Sequence, residues 1–159
     1  MNCSNSDNKP KRIASFSVDH DFIKEGMYIS RIDGDIKTYD LRTRIPNGGD
    51  YIDDLTMHSV EHMLATFLRN SSIGDRVIYF GPMGCRTGFY LLVRGVDDLT
   101  VFKEVKLALQ KTVEYNGEIF GGTRKECGNY KCLSLESAKK ECQRYLDKLQ
   151  TLKKPDFKY

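Results

Sequence analysis

Three stretches of the chain carry apolar residues at helical spacing. In 55–69, LTMHSVEHMLATFLR, the residues Val60, Met63, Leu64 and Phe67 share one face at about 100° per residue. In 99–113 the same spacing runs through Phe102, Val105, Leu109 and Val113. In 135–149 it runs through Leu135, Ala138, Cys142, Tyr145 and Leu149, with Ser134 placed as an N-cap and Pro155 beyond the end. Other stretches read as strands. YISRI (28–32) and IKTYDLRT (36–43) predict a hairpin whose turn is supplied by Asp33-Gly34. RVIYF (76–80) and TGFYLLVRG (87–95) predict two strands flanking the loop GPMGCR (81–86), and PNGGD (46–50) is a loop. FSVDH (16–20) alternates briefly and predicts the start of another strand. Strands and helices mix without strict βαβ alternation, so the expected class is α+β, an antiparallel sheet packed with helices.

Length and composition narrow this picture. At 159 residues the chain fits one domain, able to bury roughly two-thirds of the surface it exposes when unfolded. The polar opening, residues 1–12, predicts a flexible tail, which leaves 13–159 as the domain. Hydrophobic residues at 40% and charged residues at 30% are ordinary for a soluble protein. The net charge is only +3, and no Lys/Arg stripe is interleaved with aromatics, which argues against a nucleic-acid role. No apolar run approaches the ~20 residues of a membrane span. MNCSNSDNKPKR has no apolar signal region, so the cytoplasm is expected, with reduced thiols.

Candidate chemistry begins at HSVEH (58–62). His58 and His62 lie four apart, so both imidazoles reach one side of the helix and can share a metal ion. Glu61 joins them on the face opposite the apolar stripe, as a base beside the metal or an orienting group. The small Ala65, one turn on, leaves room there. The H-x-x-E-H pattern is also that of inverted zincin metallopeptidases, and also that of a merely solvated polar face. Two histidines are one ligand short of a usual catalytic site. KECGNYKC (125–132) offers Cys127, slightly preferred because Gly128 beside it eases close approach, with Cys132 as the competitor. In GPMGCR, Cys85 stands between Gly84 and Arg86. An adjacent cation and an exposed loop favour the thiolate and suit proton transfer, while the plainer reading is a structural turn cysteine. Ser15, His20 and Arg42 earn no functional reading by themselves. Of the five cysteines, Cys3, Cys132 and Cys142 are taken as passive.

Read together, SFSVDH, YDLR followed by PN, HSVEH, GPMGCRTGFY and ECGNY, in this order over about 15–130, resemble the S-ribosylhomocysteine lyase family, LuxS. GPMGCRTGFY is the most specific stretch. The resemblance implies a metallopeptidase-like two-layer α+β domain. It implies cleavage of S-ribosylhomocysteine to homocysteine and 4,5-dihydroxy-2,3-pentanedione, the autoinducer-2 precursor, and homodimers with active sites at the subunit interface. It also implies one divalent metal ion per subunit, usually ferrous iron, with zinc or cobalt able to replace it. By matching position, His58, His62 and Cys127 would bind the metal, Cys85 and Glu61 would be the acid/base pair, and Ser15, His20 and Arg42 would help form the substrate site. The chain departs from the family pattern at Tyr79, Phe80 and Gly81, at Arg44 where Cys is usual, and at Ser59-Val60 where Thr-Leu is common. The alternative is a metallohydrolase in which Glu61 activates a metal-bound water. A third reading is a structural-metal module that binds a partner.

Overall fold

The computed structural model describes residues 9–159. Residues 1–8, which hold Cys3 and most of the expected tail, lie outside the described residues; 9–12 are exposed and in neither helix nor strand. Four strands form one antiparallel sheet in the order β1-β2-β4-β3, with β1 Gly26–Asp33, β2 Ile36–Arg42, β3 Val77–Pro82 and β4 Gly88–Arg94. Three helices, α1 Asp54–Arg69, α2 Asp98–Glu114 and α3 Leu135–Gln150, pack on one face of it. The class is α+β, as the mixed periodicities indicate.

Local chemistry explains the element ends. The β1–β2 turn is Gly34-Asp35, one residue later than the sequence suggests, because Asp33 still pairs with Ile36. Gly34 takes φ +61 at the first central position, which an L side chain rarely adopts. Ser134 caps α3 by accepting from Ser137 N–H, as expected from the sequence. Asp53 and Asp97 cap α1 and α2 in the same way through Thr56 and Thr100. FSVDH forms no strand. Residues 14–16 and 20–22 are short 3₁₀ turns, the second capped by Asp19 accepting from Asp21 N–H. That local side-chain bond competes with extension.

The core lies between the sheet and the helices. Tyr39, Leu41, Phe89, Leu91 and Val93 face Val60, Met63, Leu64, Leu68, Val105, Leu109, Tyr145 and Leu149. Phe67, on the apolar face of α1, is half-buried; it packs against the core and edge-on to Phe120, with ring centroids 5.2 Å apart. By alternation the opposite face of the sheet carries Thr38, Asp40 and Arg42 of β2 and Tyr90 and Leu92 of β4. Both edge strands bulge, β1 between Ile29 and Arg31 and β3 between Val77 and Tyr79. The C-terminal segment covers the free edge of β1. Ile29 N–H donates to Phe157 O at 2.8 Å, and the Phe157 ring is buried against Phe102.

Candidate metal and catalytic site

Helix α1 carries His58, Glu61 and His62 on one half-buried stripe. The two imidazoles meet edge-on, 4.6 Å between centroids. Each is fixed from behind. His58 Nδ1 contacts Cys132 O at 2.8 Å, and His62 Nδ1 contacts Phe120 O at 2.7 Å. A carbonyl only accepts, so each Nδ1 carries the proton and each Nε2 keeps its lone pair. The loop between α2 and α3 brings Cys127 to them. Its turn is closed by Glu126 and Cys127 N–H groups donating to Thr123 O, both at 3.1 Å. Cys127 Sγ stands 3.3 Å from His58 Nε2 and accepts Asn129 N–H at 3.4 Å.

The ligand atoms of His58, His62 and Cys127 all lie within 4.8 Å of one another. Two ligands on one tetrahedral ion, with bond lengths near 2.05 Å to nitrogen and 2.3 Å to sulfur, sit about 3.5 Å apart. The observed His58–Cys127 separation fits that value. Both imidazoles present a free lone pair, and an amide proton supports charge on the sulfur. The group can therefore hold a divalent metal with a position left for another ligand. Glu61 stands beside it, and among the described residues its carboxylate takes part in no hydrogen bond or ion pair.

The turn carrying Cys85 lies at the entry to α1. Ile52 N–H donates to Arg86 O at 2.9 Å, and Met83 N–H to Gly88 O at 2.9 Å. Cys85 is exposed, and its Sγ contacts Thr87 Oγ1 at 3.0 Å. It lines a cavity of about 330 Å³ with His20, Asn47, Tyr51 and Thr87. His20 is oriented by its Nδ1 donating to Val18 O at 2.9 Å. Ser15 lies elsewhere, in a groove of about 300 Å³ on the outer face of the sheet with Thr38, Tyr79, Tyr90 and Leu92. Arg42 is buried behind Cys85, with Nη1 2.7 Å from Thr87 Oγ1 and 3.9 Å from Cys85 Sγ. Burial works against its charge; the bonds and charge of Asp40 outweigh that and hold the guanidinium above its ordinary value.

These elements stand in one sequence that matches the S-ribosylhomocysteinase (LuxS) family over residues 13–156. The chain belongs to this family. It is 38% identical to the S-ribosylhomocysteine lyase of Borreliella afzelii (strain PKo) over 155 residues, 94% of this chain and 99% of the relative. It is 40% identical to that of Finegoldia magna (93% and 97% covered) and 41% identical to that of Desulfotalea psychrophila (85% and 89% covered).

In this LuxS-family chain two sequence arguments need correction. The cation at Cys85 is Arg42, not the neighbouring Arg86. Arg86 adopts φ +60 and turns its guanidinium over the Tyr51 ring, 5.8 Å from its centroid. The preference for Cys127 over Cys132 does not rest on Gly128, which has ordinary φ and nothing within 4 Å of where a side chain would begin. The glycine that matters is Gly121, at φ +63, where a Cβ would stand 3.0 Å from His62 Nδ1. Cys132 contributes its carbonyl to His58 instead. Burial pushes the Cys142 thiol well above its ordinary range, which leaves it protonated and inert.

The departures from the family pattern also find places. Ser59 is fully buried; it accepts Ser134 N–H at 2.8 Å and donates to Leu55 O, tying α1 to the start of α3. A hydroxyl serves there whether Ser or Thr supplies it. Arg44 forms a buried pair with Glu141 of α3 and is not among the residues lining the Cys85 cavity.

Proposed function

We propose that this chain is a metal-dependent S-ribosylhomocysteine lyase that releases homocysteine and 4,5-dihydroxy-2,3-pentanedione, the autoinducer-2 precursor. The observation that carries the reading is the His58–His62–Cys127 group in a LuxS-family chain. A divalent ion held there supplies Lewis acidity toward the sugar's carbonyl and hydroxyl oxygens. Ferrous iron suits a reduced cytoplasm; the ligand types also accept zinc or cobalt.

The residues divide the proton work. The C–S bond sits at C5 of the ribosyl chain, so β-elimination needs a carbonyl at C3 beside an acidic C4 proton. Two enolisations move the carbonyl from C1 to C2 and then to C3, each shifting one carbon-bound and one hydroxyl proton with no net redox change. Cys85 Sγ and the Glu61 carboxylate take and return those protons. Loss of the C4 proton then breaks the C5–S bond, and homocysteine thiolate leaves and is protonated. The Arg42 guanidinium stabilises negative charge on Cys85 sulfur. His20, in the Cys85 cavity, holds substrate hydroxyls or its amino-acid end, and Ser15, which lies away from that cavity, serves the site completed by the partner subunit.

A homodimer with active sites at the interface completes the reading. It is supported by the groove at Ser15 and by the exposed Ile13, Phe16 and Tyr79 around it, apolar surface of the kind a partner covers.

The test is homocysteine release from S-ribosylhomocysteine by anaerobically purified protein, followed with a thiol reagent with and without chelator. Chelator-sensitive release is expected, and Cys85→Ala keeps the metal while losing at least about a hundredfold in rate. A metallohydrolase has no need of Cys85, so turnover by that variant at the wild-type rate overturns the mechanism.

A further inference from the structure

The hydroxyl of Tyr159 donates to Asp40 Oδ2 at 2.7 Å. Asp40 is fully buried on the outer face of β2, and Arg42 is 2% exposed. The Asp40 carboxylate receives Arg42 Nε at 3.0 Å and Arg42 Nη2 on its other oxygen. A two-point grip of this kind sets both the tilt and the reach of a guanidinium. What remains free, Nη1, is the nitrogen that faces Thr87 and Cys85. The cation at Cys85 is therefore aimed from behind by Asp40. One oxygen of Asp40 is shared between Arg42 and Tyr159.

Tyr159 is held in place on both sides of the sheet edge. Its ring stacks on Tyr28 with centroids 4.8 Å apart and planes 16° from parallel. Two residues earlier, Phe157 is buried on the helical side and its carbonyl pairs with Ile29. Phe157 does so at φ +58, a conformation rare for an aromatic residue and kept only where its surroundings dictate it. The segment thus wraps β1, one aromatic on each face. Burial and Asp40 raise the Tyr159 hydroxyl above its ordinary value, so it is a donor throughout the neutral range.

We propose that Tyr159 is a positioning residue of the catalytic site, holding Arg42 against Cys85 through Asp40. The C-terminal segment is then part of the machinery as well as the cover of the sheet edge. The kinetic half of this inference rests on the lyase reading; the geometric half does not.

The experiment uses the full-length, metal-loaded protein and four variants. Tyr159→Phe keeps the stack and removes the donor. Tyr159→Leu removes both. Lys158→Ala is the control, and Arg42→Gln is the reference for complete loss of the cation. Alkylation of Cys85 by iodoacetamide at one fixed pH is followed by peptide mass spectrometry, because the thiolate is the species that reacts. Beside it, kcat and KM for homocysteine release and circular-dichroism melting are measured. For Tyr159→Phe, alkylation slows toward the Arg42→Gln rate, kcat falls roughly tenfold and KM moves less than about twofold, in protein still folded at the assay temperature. Lys158→Ala matches wild type. Wild-type alkylation and kcat in Tyr159→Phe overturn the proposal, as do losses that only follow a fall in folded fraction. If the wild-type protein releases no homocysteine, the lyase reading fails by itself and the alkylation rates still decide the role of Tyr159.

Discussion

The pair Arg44–Glu141 permits a quantitative test of how this chain accommodates a buried charge between its sheet and helix α3. The two side chains are 11% and 6% exposed, and the guanidinium meets the carboxylate with two nitrogens, Nη2 to Oε2 at 2.6 Å. Glu141 shares an apolar pocket wall with Leu41, Val60, Leu64, Phe89 and Tyr145. Arg44→Met leaves that carboxylate with no cation, and breaking a buried pair from one side costs about 3–5 kcal/mol. Glu141→Leu is milder, about 2 kcal/mol, because Arg44 Nε keeps Asp50 at 3.3 Å, an exposed and screened partner. The double variant replaces both by apolar groups of similar volume and is expected near wild type, a coupling of roughly 5–7 kcal/mol. Urea unfolding at saturating metal measures all four proteins. Arg44→Met should also melt about 6–15 °C lower. Homocysteine release below the melting range should be nearly unchanged, because Arg44 does not line the Cys85 cavity. Single costs below about 1 kcal/mol that simply add would refute the argument, since the pair would then behave as a surface contact.

Three further outcomes are expected. Cys127→Ser should weaken metal affinity by at least about tenfold in competition with a chelating dye, while Cys132→Ser, whose contribution to His58 is its backbone carbonyl, should not. Asp53→Ala should cost about 1 kcal/mol by urea unfolding at neutral pH. The Thr56 backbone and side-chain hydrogen bonds lower the folded-state value of Asp53, so its contribution is present above the unfolded value near pH ~4 and is lost as pH falls through the folded value. A gap between Asp53→Ala and wild type that stays constant down to acid pH would contradict that linkage. Gly121→Ala should lower both stability and metal affinity, measured by thermal melting and metal titration, because φ +63 and the 3.0 Å approach to His62 penalise any Cβ.

Much of the helical framework was legible because helices follow from spacing within about four residues. The stripe Val60, Met63, Leu64 marked α1, and the same period put His58, Glu61 and His62 together on another face. Where contacts cross the chain, the signal was absent. Nothing local distinguishes Phe120 and Cys132 as the residues whose carbonyls hold the imidazoles, because any residue carries a carbonyl. FSVDH looked extended, but Asp19 capped a short turn.

The sequence by itself determined the element types, the α+β class and the pairing of two histidines on one helix, since backbone geometry converts local spacing directly into a face. Only the tertiary structure decided which cysteine joins them, which cation faces Cys85, and that Tyr159 reaches Asp40. Those partners lie 69, 43 and 119 positions apart. Such contacts are set by how the sheet, loops and C-terminal segment pack, which no short-range period encodes.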